Sequence, residues 1–146
     1  MIGIVIATHG TLSDGLKDAA EVVVGPTQQL KTVNLYQGDD ITALGETIKE
    51  AIEAVDGPEG VVVLTDLASA SPYNQTLLVS RQLHETTKAN LHLISGVNLP
   101  MVIEAINQQY LGQKSAEVYH LLVEQAISGI THFEEIAEDE SEEDGF

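Results

Sequence analysis

The chain has 146 residues, no cysteine, and a composition of 43% hydrophobic but only 4% aromatic residues. That length suits one domain whose core is built from Val, Ile, Leu and Ala, and the missing thiols exclude disulfides, thiolate nucleophiles and cysteine–metal sites. A formal net charge of −17 disfavours nucleic acid and anionic membrane surfaces; it serves either plain solubility or a basic protein partner.

No apolar run reaches the roughly 18 residues that would suggest a membrane span. The N-terminus enters an apolar run without a basic region or a cleavage-site pattern, so no signal peptide and a cytoplasmic location are expected.

Residues 1–7 (MIGIVIA) are nearly all apolar, as a strand buried on both faces reads. Residues 12–24 follow as a helix with Leu12, Leu16, Ala19, Ala20 and Val23 on one face, stopped by Gly25-Pro26. Residues 30–36 alternate like a second strand. Asp39 or Asp40 can cap a helix on which Ile41, Leu44, Ile48, Ile52 and Val55 keep the 3.6 period. Residues 60–66 (GVVVLTD) are the next buried strand.

After a loop of small residues, the sequence predicts a helix from Pro72 to about Thr87 with Ser71 as its N-cap. A fourth strand is expected at 90–95, helices at about 100–111 and 115–128, and a last short strand at 130–136. Eight acidic residues crowd into 134–144. The domain is therefore expected to span 1–136, with 137–146 a disordered acidic tail.

Strands alternating with helices argue for an α/β fold: a doubly wound sandwich around a mostly parallel four-stranded sheet, with helices on both faces. Sites in such folds gather beyond the carboxyl ends of the strands. Three loops therefore carry the functional expectation: 8–11, 66–74 and 96–100.

His9 stands directly after the first strand, with Thr8 before it and Gly10 after it. Gly10 permits a sharp turn and keeps a side chain away from the imidazole. Asp66 ends the third strand. If strands one and three are neighbours, the carboxylate can bond one ring nitrogen, fix the tautomer and leave the other nitrogen as a nucleophile. Ser71 and Pro72 open a helix whose free N–H groups suit an anion, although an ordinary capped helix reads the same way. No glycine-rich nucleotide loop accompanies them. His84, His92, His120 and His132 show no metal-ligand spacing and read as core or surface groups. Arg81 reads as a surface residue that can help dock an anion or a partner.

These pieces together resemble the IIA domain of mannose-family phosphoenolpyruvate-dependent sugar phosphotransferase systems. The resemblance rests on Thr8-His9-Gly10 after the N-terminal strand, on Asp66 followed by Ser71-Pro72-Tyr73-Asn74, and on Gly96-Val97-Asn98-Leu99-Pro100-Met101. It covers residues 1 to about 130. It implies that His9 accepts a phosphoryl group from the histidine phosphocarrier HPr on Nε2 and passes it to a IIB component, with the IIC and IID membrane components involved only indirectly. It implies that Asp66 orients the ring through Nδ1. Ser71 would face the phosphate, with Thr8, Gly10 and the Pro72 helix start lining it. No metal and no cofactor are implied. It also implies a homodimer in which an antiparallel fifth strand, here 130–136, is exchanged between subunits. The family's usual Gly-Gly in the second loop is Ser69-Ala70 here, and its Phe is Tyr73; the substitutions stiffen that loop, and Ser69 adds a hydroxyl.

Two rival readings differ by specific residues, and a third does not. A histidine phosphatase needs an Arg before the His-Gly pair, where Thr8 stands, and a second active-site His. A receiver or flavin-binding module needs an acidic pair or a hydroxyl-rich loop after strand one, and neither is present. A IIA-like domain phosphorylated purely as a signal has the same residues as a transport component.

Overall fold

A computed structural model describes residues 1–136. The elements run β1 (Gly3–His9), α1 (Leu12–Val24), β2 (Leu30–Leu35), α2 (Ile41–Val55), β3 (Val61–Thr65), α3 (Ser71–Ser80), α4 (Glu85–Ala89), β4 (Leu91–Ser95), α5 (Leu99–Tyr110) and α6 (Ser115–Ser128). The four strands form one sheet in the order β2-β1-β3-β4. Every neighbouring pair is parallel, which buries the central strands β1 and β3 on both faces.

Alternation within those strands splits the core in two. Ile4, Ile6, Val62 and Leu64 face α1, α5 and α6, where Leu16, Ala20, Met101, Ile106 and Leu122 complete one layer. Val5, Ala7, Val61 and Val63 face the other way and pack on Leu44, Ile48, Ile52 and Val79 of α2 and α3. Gly3 is where β1 runs against the end of α2: a Cβ there would overlap Val55. Asp40 caps α2 by accepting from the Thr42 N–H at 2.9 Å. Among the described residues, no helix is long and apolar enough to cross a membrane.

The structure revises four sequence expectations. The helix expected over 72–87 is two helices. α3 stops at Ser80, whose hydroxyl donates to the Leu77 carbonyl at 2.7 Å. The chain then turns so that Leu83 enters the core at 5% exposure. His84 restarts the helix, its Nδ1 accepting from the Thr86 N–H at 3.2 Å. At the start of α3, Ala70 occupies the cap position with no side-chain cap bond, and Ser71 is the first helical residue.

On α1 the inward face is Ser13, Leu16 and Ala20; Leu12 and Val23 are exposed. The edge position of β2 leaves α1 only partly covered, and a hydroxyl takes the place that spacing assigned to leucine. The fifth strand expected over 130–136 is not formed within the single chain. Those residues are irregular and exposed. The acidic tail expected over 137–146 lies outside the described residues.

Candidate functional site

The strand order puts β1 beside β3, and the register pairs Ala7 with Thr65. One residue further along β3 leaves the sheet at Asp66, while β1 stays paired with β2 through His9 at the carboxyl edge. There Asp66 Oδ2 accepts two hydrogen bonds from His9, one from the backbone N–H at 3.0 Å and one from Nδ1 at 2.9 Å. The other oxygen, Oδ1, accepts from the Leu67 N–H at 3.0 Å. Burial alone would push the Asp66 carboxyl up. The hydrogen bonds from the His9 backbone and ring, together with the ring's charge, outweigh that and hold it below its ordinary value of 3.8.

An ionised carboxylate only accepts hydrogen bonds, so the neutral imidazole carries its proton on Nδ1. Among the described residues nothing bonds Nε2. The His9 side chain is 44% exposed while that of Asp66 is 13% exposed. The pair thus presents an accessible lone pair backed by a sheltered negative charge.

The turn around His9 is held from three directions. Gly10 adopts a left-handed conformation at φ +59°, which glycine reaches without the strain a side chain would add. Its N–H donates to the Leu35 carbonyl of β2 at 2.8 Å. Thr8 is fully buried, and its Oγ1 accepts from the Ser13 N–H of α1 at 2.7 Å. The hydroxyl expected at the phosphate therefore points into the protein. Sequence reasoning missed Ser13, although its spacing of three from Leu16 and seven from Ala20 marks an inward helical position.

The start of α3 lies past the same sheet edge. Pro72 is buried and Ser71 half-buried. The Asn74 N–H is taken by the Ala70 carbonyl. The Ser71 and Tyr73 N–H groups have no partner among the described residues, so this helix offers donors to an anion. Ser69 adopts a left-handed φ of +64°, and its carbonyl accepts from Asn74 Nδ2 at 3.0 Å. The third loop is fixed by Asn98. It caps α5 through the Met101 N–H at 3.1 Å and donates to the Ala126 carbonyl at 3.0 Å.

The remaining histidines lie elsewhere. His84 caps α4. His92 stacks on Tyr119 with ring centroids 4.7 Å apart, and His120 meets the edge of the same tyrosine. His132 is exposed beyond α6. Arg81 closes α3 and lines a surface groove with Glu46 and Gln75.

The model of the PTS system fructose IIA component family matches residues 3–123. The chain is 33% identical over 102 residues to YadI of Escherichia coli (strain K12), named for a phosphotransferase enzyme IIA component; the match covers 70% of this chain and 66% of that one. It is 28% identical over 129 residues to the mannose-specific EIIAB component of the same strain, covering 88% of this chain and 38% of the relative. The chain thus spans about two thirds and two fifths of the lengths of these relatives. The solved structure of phosphotransferase system component EIIA from Streptococcus agalactiae shares the fold, with a TM-score of 0.80 and 23% identity over 91% of this chain and 98% of that one. The chain belongs to the mannose-type IIA family of sugar phosphotransferase systems, whose members carry phosphoryl groups.

Proposed function

We propose that His9 is the phosphoryl-accepting residue of this IIA component, taking the group from phosphorylated HPr and passing it to a IIB component during sugar uptake. The observation that carries the reading is the 2.9 Å contact between His9 Nδ1 and Asp66 Oδ2, which leaves Nε2 without a partner among the described residues. In the forward step the Nε2 lone pair attacks the phosphorus of the donor phosphohistidine. The donor P–N bond breaks, its electron pair returns to the donor ring, and a new P–N bond forms on His9. The Nδ1 proton stays in place, and Asp66 stabilises the positive ring that results. Ser71 and the free N–H groups at the start of α3 neutralise the equatorial oxygens. Transfer of this kind depends chiefly on positioning and electrostatics.

The reading extends to a cytoplasmic homodimer of 1–136 domains built by strand exchange. Supporting it, β4 is a sheet edge. Beside it a groove of about 290 Å³ is lined by Met101, Val123, Ala126, Ile127 and Ile130. Ile130, Phe133 and Ile136 are exposed in the single chain, an arrangement that a second copy would bury.

The deciding experiment is incubation with phosphoenolpyruvate, enzyme I and HPr, followed by mass spectrometry of acid-labile phosphate. Label is expected on His9 and absent from His9→Ala; undiminished labelling of that variant refutes the site. Onward transfer to a IIB domain separates a transport component from a domain phosphorylated only as a signal. Release of free phosphate from a phosphoester would instead indicate a phosphatase.

A further inference from the structure

We propose that Ser13 is a positioning residue for His9, its hydroxyl seating the start of α1 on Val33 and Asn34 of β2 so that its backbone N–H holds Thr8; its kinetic consequence rests on the phosphoryl-carrier reading above. Ser13 occupies the inward stripe of α1 that Leu16 and Ala20 continue, and it is fully buried. For packing alone, alanine would serve there. The hydroxyl instead donates to the Val33 carbonyl at 3.2 Å and approaches Asn34 Oδ1 closely. The Ser13 N–H donates to Thr8 Oγ1 at 2.7 Å. One residue thereby ties the position just before His9 to both α1 and β2.

The tie continues outward. Asn34 pairs with Thr8 across the ladder, and its Nδ2 donates to Asp14 Oδ2 at 2.6 Å and to the Tyr36 hydroxyl at 3.0 Å. The Thr32 hydroxyl donates to Asp14 Oδ1 at 2.6 Å. The Thr32 and Asn34 hydrogen bonds hold the Asp14 carboxyl below its ordinary value, so this acceptor stays charged. Thr8 and Ser13 are buried, Thr32 and Asn34 half-buried, and Asp14 and Tyr36 exposed; the chain of hydrogen bonds runs from the core to the surface, and its buried end fixes the backbone around it.

The need for such a tie comes from Gly10. Its left-handed turn, which carries no side chain to brace it, joins His9 to α1. Asp66 fixes His9 from β3, and Leu35 fixes Gly10 from β2. The Thr8–Ser13 contact anchors the same turn to α1. With all three in place, Nε2 keeps the direction needed for in-line attack. Small misplacements of reacting atoms lower rates steeply.

The test compares Ser13→Ala, Thr8→Val and Thr8→Ser with the unsubstituted chain. Single-turnover transfer from phosphorylated HPr is expected to slow about tenfold in Ser13→Ala and Thr8→Val, with the half-saturating donor concentration changed by less than about twofold. Thr8→Ser keeps the hydroxyl and is expected to restore the rate. Nitrogen-15 NMR of the His9 ring gives a readout independent of transfer: a single Nδ1–H tautomer in the unsubstituted chain, mixed with Nε2–H in Ser13→Ala. A folded Ser13→Ala with an unchanged rate and an unchanged ring spectrum overturns the inference. Should that variant fail to fold, half-buried Asn34→Ala breaks the same tie and the same two readouts decide. If the unsubstituted chain takes no phosphate from HPr, the carrier reading fails, while the ring spectra still decide the role of Ser13.

Discussion

Asp66 Oδ2 holds His9 twice, once by its backbone N–H at 3.0 Å and once by Nδ1 at 2.9 Å. One oxygen therefore fixes both the position of the residue and the orientation of its ring. Replacing Asp66 with Asn removes the charge and offers an amide N–H that can select the opposite tautomer. Phosphoryl transfer to His9 is expected to fall by about 10²-fold, the scale of losing one electrostatic contact in a preorganised site. Far-UV circular dichroism should be unchanged. A full-rate Asp66→Asn would remove the carboxylate from the mechanism.

The same carboxylate makes stability depend on pH with a defined sign. Its value in the fold lies below the ordinary 3.8, so the folded chain binds the proton less readily than the unfolded chain. The stabilisation is present above 3.8 and is lost as pH falls through the folded value. Urea midpoints should show the unsubstituted chain more stable than Asp66→Asn at pH 7. The gap should narrow at pH 3. A gap that widened on acidification would contradict the hydrogen-bonding scheme.

Much of this site was legible because it depends on order along the chain. His9 after one apolar run and Asp66 after another need only adjacent strands to meet, and β1 beside β3 supplies that. The orientation of Thr8 was not legible. A threonine at a strand end faces either outward to a ligand or inward to a helix start, and the choice depends on where α1 begins. Likewise the division of 72–87 into two helices turned on Leu83 finding the core and on His84 finding the Thr86 N–H, both tertiary events. The 130–136 segment has apolar residues and no place for them within its own chain.

Exposed Ile130, Phe133 and Ile136 give that segment a testable consequence. Strand exchange would bury them and would extend the sheet beyond β4. Sedimentation equilibrium is expected to give twice the chain mass for the unsubstituted protein. Phe133→Glu combined with Ile136→Glu is expected to give the chain mass, with His9 labelling retained. A monomeric unsubstituted protein at high micromolar concentration would exclude the exchanged dimer.

Ser69 sits at φ +64° in the loop between Asp66 and α3. A left-handed conformation costs a non-glycine residue about 1–2 kcal/mol, and glycine avoids this at some cost in unfolded-state entropy. Ser69→Gly is expected to be neutral or to stabilise by up to ~1 kcal/mol, while the β-branched Ser69→Val should destabilise by about 2 kcal/mol. Chemical denaturation of the two variants checks the order. A Val variant as stable as the Gly variant would show that the loop does not hold this conformation in solution.

His92 supplies a second pH dependence, opposite in origin. Its ring lies flat on Tyr119, and its Nε2 is buried without a hydrogen-bond partner among the described residues. Burial pushes the imidazole below its ordinary 6.5, so the fold favours the neutral ring. The unfolded chain takes up the proton first as pH drops, and stability is expected to decline below about pH 6.5. His92→Phe keeps an aromatic stack against α6 and removes the titration. The thermal midpoint of the unsubstituted chain should therefore fall between pH 7 and pH 5.5 by more than that of His92→Phe. Parallel curves for the two proteins would assign the loss to other groups.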